Sequence, residues 1–104
     1  MKNANFAPAY AAMYPALAQI ARDHGYALAV HGSMARDFDV VCIPWVEEPS
    51  SPEDVVKAMC SDFALTRVGD PEYKLHRRLV YTLSVEFGDS FLDLSFMPIN
   101  PSSN

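Results

Sequence analysis

Cysteine, glycine and basic side chains are scarce in this chain of 104 residues. It holds two cysteines and four glycines, and eight Lys and Arg stand against thirteen Asp and Glu. Each shortage excludes something. Two cysteines build no disulfide framework. Cys42 lies in the apolar run Val40-Val41-Cys42-Ile43 and Cys60 in an expected helix, so both read as small buried thiols in a reducing compartment. Their spacing matches no metal site. A formal charge of −5 argues against a nucleic-acid coat or a membrane-surface protein, both of which need basic stripes. Near the Ala-rich start, Pro8, Pro15, Gln19 and the pair Arg22-Asp23 interrupt anything resembling a signal core or a membrane span. The expectation is a soluble cytoplasmic protein with no membrane partner.

What is present is apolar. Half of the residues are hydrophobic, 12% are aromatic and 20% are charged, enough buried surface to offset chain entropy. The length suits one small domain with one core and excludes a two-domain enzyme with its own substrate lobe. We place the domain at residues 1–98 and a polar tail at 99–104.

From Ala9 to His24, Met13, Leu17, Ile20 and Ala21 recur at helical spacing. Gly25 ends that helix in a left-handed cap, with Arg22 and His24 beside the negative dipole end. Pro15 is expected near the first ordered turns rather than mid-helix. Tyr26 to His31, closed by Gly32-Ser33, reads as a buried strand, and Asp37 to Ile43 as a second strand stopped by Pro44. Ser51-Pro52-Glu53-Asp54 starts a second helix, with Ser51 as cap, Pro52 at the first helical position and two acids at the positive dipole end. It carries Val55, Val56, Met59 and Phe63 inward. After the turn Gly69-Asp70-Pro71, the runs Leu79 to Phe87 and Phe91 to Met97 form a hairpin through Gly88-Asp89. The fold class is α+β: a mixed sheet of about four strands in the order α-β-β-α-β-β, with both helices on one face and the other face or one end open.

Strand alternation puts Asp37 and Asp39 on the same side of one strand. Neighbouring carboxylates repel, and proton sharing or a hard cation such as Mg2+ relieves them. Asp93 stands in the middle of Phe91-Leu92-Asp93-Leu94-Ser95-Phe96, where an unpaired acid is expensive. A strand pairing that sets Asp93 beside Asp37 and Asp39 completes a three-carboxylate metal site. Gly32 lets backbone approach a phosphate, Ser33 adds a hydroxyl and an N–H, and Arg36 adjoins the first acid.

An apolar strand ending in Gly-Ser, then Asp-x-Asp opening a second strand, then a later in-strand Asp resembles the nucleotidyltransferase superfamily related to DNA polymerase β, in its minimal single-domain form. The parts are Val30-His31-Gly32-Ser33, Asp37-Phe38-Asp39-Val40-Val41 and Asp93, and the resemblance covers about Tyr26 to Met97. It implies metal-dependent transfer of a nucleoside monophosphate from a triphosphate such as ATP to a hydroxyl. Asp37, Asp39 and Asp93 would be the catalytic residues and ligands of Mg2+ or Mn2+. Gly32, Ser33 and Arg36 would bind the nucleotide. A protein or RNA would supply the acceptor, and a homo-oligomer is a further candidate assembly. One departure stands out: only Met34, Ala35 and Arg36 separate Ser33 from Asp37, where the family has a longer connector. The alternative is a catalytically inactive module of this fold that docks on a partner protein or nucleotide.

Plainer readings stand beside these. Asp37 and Asp39 can cap a turn, Asp93 and Ser95 can face water from an edge strand, and Gly32-Ser33 can be an ordinary turn. The cluster Lys74, His76, Arg77 and Arg78 reads first as a solvated lead-in to a strand, although in this topology a neighbouring strand brings it towards the carboxylates. Trp45 is expected against the second helix and His31 as a hydrogen-bonded core histidine. Tyr10 and Tyr14 are expected in the core or on a partner-facing surface of the first helix.

Overall fold

The computed structural model describes residues 7–32, 34, 37–85 and 90–98. Helix α1 spans Ala7–Asp23, strand β1 Tyr26–His31, β2 Phe38–Pro44, helix α2 Pro52–Asp62, β3 Leu65–Arg67, β4 Glu72–Lys74, β5 Arg78–Val85 and β6 Ser90–Phe96. A short 3-10 turn, Leu75–Arg77, joins β4 to β5. The fold is α+β, with two helices and a mixed sheet.

The sheet has six strands rather than about four. Its path is β1-β2-β6-β5-β3, with β4 also pairing β5. The additional strands, β3 and β4, have three residues each, too few for a period-2 pattern to show. They lie end to end along one edge of β5: β4 pairs with Arg78 to Val80, and β3 with Leu83 to Val85. All pairs are antiparallel except β2 with β6. That parallel pair needs a long crossover, here α2, β3, β4 and β5.

Helix α2 begins as its residues require. Pro52 lies in the first turn, and Ser51 Oγ accepts the Asp54 N–H at 3.2 Å. At the end of α1, Gly25 has φ +91°. A Cβ there would stand 2.7 Å from Val46 Cγ2 and 2.9 Å from Pro49 Cα, so both the conformation and the space demand glycine. Its carbonyl accepts the Trp45 N–H at 2.8 Å, tying the helix end to the end of β2.

Three expectations about these segments are corrected. Pro15 lies inside α1: its missing N–H falls in a helix whose buried side, Tyr10, Leu17, Ile20 and Ala21, is held by packing against the sheet. Pro44 closes β2 as its last residue rather than stopping the strand before it, as a strand end tolerates. Trp45 is 78% exposed rather than packed on α2, because its backbone is tied to Gly25 and its side chain borders a hollow with Tyr14, Ala18 and Arg22 of α1. The Gly88-Asp89 link of the β5–β6 hairpin and the tail beyond Pro98 lie outside the described residues.

One face of the sheet carries the core. Tyr26 and Leu28, Phe38, Val40 and Cys42, Tyr81, Leu83 and Val85, and Leu92, Leu94 and Phe96 pack with Tyr10, Leu17, Val55, Val56 and Met59 of the helices in a single cluster. Tyr10 stacks on Phe38 with centroids 4.8 Å apart, and Phe96 meets Tyr26 and Tyr81 edge-on. Tyr14 anchors α1 by donating to Leu28 O at 2.6 Å. At the other flank Glu53 of α2 accepts from Tyr81 Oη and from Arg67 Nη1, both at 2.8 Å. Cys42 is buried as expected, whereas Cys60 is only half-buried, packed against the margin of the core from α2. Because the core side chains of the strands point to the helices, the alternate residues are left on a face that no helix covers among the described residues.

Candidate functional site

Register aligns the polar residues of that uncovered face. His31 pairs with Asp39, Asp39 with Asp93, and Asp93 with Thr82, so four side chains from β1, β2, β6 and β5 form one row across the sheet. Alternation explains the row: Phe38 and Val40, Leu92 and Leu94, and Tyr81 and Leu83 go to the core, sending the residues between them to the opposite side.

Asp39 and Asp93 are the centre of the row. They are directly opposite on paired parallel strands and both half-buried. The Asp39 carboxyl is held above the ordinary carboxylate range, first by burial, then by a hydrogen bond to Asp93 and the charge of Asp93, then by the charge of Asp37, with His31 opposing. Thr82 Oγ1 donates to Asp93 Oδ1 at 3.3 Å, a long contact that steers one oxygen. Asp37 stands one residue before β2 and is exposed. Its field nonetheless joins those of Asp39 and Asp93 at the buried Tyr10 hydroxyl, where burial first and then the three carboxylates raise the phenol.

Gly32, with φ +90°, follows β1 directly. A Cβ there would lie 3.2 Å from Asp39 Oδ2, so the glycine leaves the flank of that carboxylate bare. Ser33 and Arg36, the other residues expected to bind nucleotide, lie outside the described residues. His31 is exposed on the carboxylate row, not in the core as expected, because alternation from Tyr26 and Leu28 carries it to the open face.

A cavity of about 260 Å3 opens over the row. Its walls are His31, Asp39 and Asp93 on one side and Glu72, Lys74 and Arg78 on the other. Lys74 and Arg78 were visible in the sequence as part of a basic run. Alternation puts Ser95 on the face of Asp93, but β6 lies between β2 and β5 rather than at an edge and Ser95 is buried; Glu72 and Thr82 gave no sequence signal, since their place depends on which strands become neighbours.

The donor set is chemically suited to a hard cation, which prefers carboxylate oxygens. Among the described residues no group of three or more His, Cys, Asp or Glu stands in metal-holding geometry; the fold brings two carboxylates together and leaves Asp37 at their rim. No helix among the described residues is long and apolar enough to cross a membrane. Set against protein-family models, curated proteins and solved structures, the chain matches none of them.

Proposed function

We propose that this chain is a small metal-dependent nucleotidyltransferase, transferring a nucleoside monophosphate from a nucleoside triphosphate to a hydroxyl acceptor. The observation that carries the reading is the Asp39–Asp93 pair: two carboxylates in register on parallel strands, on an open face, beside a glycine that leaves one of them accessible. Placing two acids directly opposite costs stability, and a site that gains a ligand is a physical reason for the arrangement. Asp39 and Asp93, joined by Asp37 from the rim, would hold Mg2+ or Mn2+, which supplies Lewis-acid polarisation of phosphoryl oxygens when bound.

The chain's own residues do the rest. Gly32 keeps side-chain bulk away from Asp39, so phosphate oxygens can approach the backbone at the end of β1. Thr82 fixes the Asp93 carboxyl from β5. In the transfer, the acceptor oxygen bonds to the α-phosphorus as the bond to pyrophosphate breaks. The acceptor's proton leaves to solvent at the open face, since Asp39 and Asp93 are occupied as ligands.

The test is transfer of labelled nucleotide to candidate hydroxyl acceptors, together with calorimetric titration of Mn2+. Wild type should bind Mn2+ and label an acceptor, and Asp37→Ala with Asp39→Ala should abolish both. Absence of Mn2+ binding by the wild type sinks the metal and the transfer together. The three-residue connector between Ser33 and Asp37 favours a second reading, a non-catalytic module that binds nucleotide or a partner protein. In that case alanine at all three acids leaves function intact, while changes near Trp45 or the Lys74–Arg78 cluster abolish it.

A further inference from the structure

The wall of the cavity facing the carboxylates holds two cations that the transfer reading does not use. Lys74 ends β4, Arg78 begins β5, and the two are register partners. A tight reversal holds them together: His76 and Arg77 both have left-handed φ, 64° and 61°, an uncommon conformation for non-glycine residues. Arg78 is fixed at two points, donating from Nε to Leu75 O and from Nη1 to Ser95 Oγ, each at 3.2 Å. Ser95 is itself 6% exposed and lies one position beyond Asp93 on the same face of β6. Both of these acceptors are neutral. Among the described residues the ion pair is Arg67–Glu53, so neither Lys74 nor Arg78 is within ion-pair distance of a described carboxylate, although Asp70 and Glu72 line the same cavity.

A positioned guanidinium and an ammonium with no carboxylate on them, in a concave site, are groups that recognise a phosphate. We infer that the Lys74–Arg78 wall is a subsite for the phosphate of a small phosphorylated acceptor, whose hydroxyl end then reaches towards the Asp39–Asp93 pair. The inference rests on the transfer reading of that pair. Size and charge favour a small molecule over a polynucleotide: the cavity is about 260 Å3, small even for a ligand pocket, and the chain carries a charge of −5. Four carboxylates, Asp39, Asp70, Glu72 and Asp93, share the cavity with the two cations. An anion therefore enters against a net negative lining unless divalent cations neutralise it, so phosphate and Mg2+ bind with positive, reciprocal coupling.

The experiment is calorimetric titration of the full chain with ribose 5-phosphate and with ribose, in Mg2+ and in chelator. Wild type should bind ribose 5-phosphate about tenfold or more tighter than ribose in Mg2+, and more weakly in chelator. Lys74→Ala with Arg78→Ala should lose that preference while its affinity for Mg2+ alone, measured without phosphate, is undiminished. Lys74→Ala by itself guards against misfolding, since that side chain is exposed and makes no hydrogen bond among the described residues. It should weaken the phosphate ligand and leave the thermal melt unchanged. Equal affinity for ribose and ribose 5-phosphate, or an unaltered affinity in the double variant, overturns the subsite. So does binding of a 5′-phosphorylated RNA oligonucleotide far tighter than the sugar phosphate, which assigns the wall to nucleic acid. A wild type that binds ribose 5-phosphate with Mg2+ but transfers no nucleotide keeps the subsite and loses the transfer reading. One that transfers nucleotide while the double variant retains ribose 5-phosphate loses only the subsite.

Discussion

Asp39 of β2 and Asp93 of β6 are register partners across the sheet's parallel strand pair, and after burial the neighbouring Asp93 carboxyl is what holds Asp39 above the ordinary carboxylate range. Their adjacency is what the rest of the fold leaves exposed: each has core-facing neighbours, Phe38 with Val40 and Leu92 with Leu94, that pin it to the open face. The first consequence concerns stability. In chelator at neutral pH, Asp39→Asn should raise stability by about 0.2–1 kcal/mol, the cost of like charges placed opposite in a sheet. A thermal melt reads this as a rise of a few degrees. The sign follows from the raised proton affinity of Asp39: its contribution is complete below the ordinary Asp range and is lost as pH rises through its elevated value. Asn removes that loss, and its melt should vary less with pH over the acid range.

Divalent cations should reverse the effect. Mn2+ or Mg2+ bound to the folded state stabilises it by RT ln(1 + [L]/Kd), about 2.7 kcal/mol at a hundredfold excess over Kd. Wild type should melt higher on adding the cation, and Asp39→Asn with Asp93→Asn should not shift. A wild-type melt indifferent to both cations contradicts the site.

Two glycines should separate site from scaffold. Gly32→Ala forces a left-handed alanine with its Cβ 3.2 Å from Asp39 Oδ2; we expect a cost of roughly 1 kcal/mol and weaker Mn2+ binding. Gly25→Ala meets Val46 and Pro49 at 3.0 Å or less. It should cost about 2 kcal/mol or more and leave the Mn2+ affinity of the folded fraction unchanged. Denaturant melts and calorimetry on both variants distinguish the two effects.

High pH should unfold the chain through its buried phenols and thiol. Burial pushes Tyr26 up to about 12 from 10, with a smaller push from Cys42, and pushes Cys42 up to about 12 from 9. Burial is also the main reason that Tyr81 is raised, helped by its bond to Glu53. Groups raised in the folded state contribute stability that is complete below their unfolded values and lost as pH climbs through the folded ones. Stability should therefore fall between about pH 9 and 12, and Tyr26→Phe should flatten the upper part of that fall, as followed by circular dichroism.

The cap of α2 offers a test independent of the site. Ser51→Ala removes the acceptor for the Asp54 N–H and should cost about 1 kcal/mol with no change in Mn2+ affinity.

Local chemistry by itself determined much of this molecule. The α1 periodicity, the glycine after it, the Ser51-Pro52 start of α2 and the alternation in β6 are each written within a few consecutive residues, because caps and periods act over one or two turns of chain. Asp37, Asp39 and Asp93 stood out in the same local way, as acids in or beside apolar strands. Tertiary structure decided what local signals cannot carry. Which strand lies beside which is set by long-range packing, and only that placed Asp93 against Asp39 while leaving Asp37 at the rim. Three-residue strands draw their order from β5 rather than from their own sequence, so β3 and β4 had no signature, and with β4 came the place of Glu72 and the reach of Lys74 to the cavity. Trp45, expected against α2, and His31, expected in the core, are both exposed, since burial depends on which face of the sheet the helices cover and not on the residue type alone.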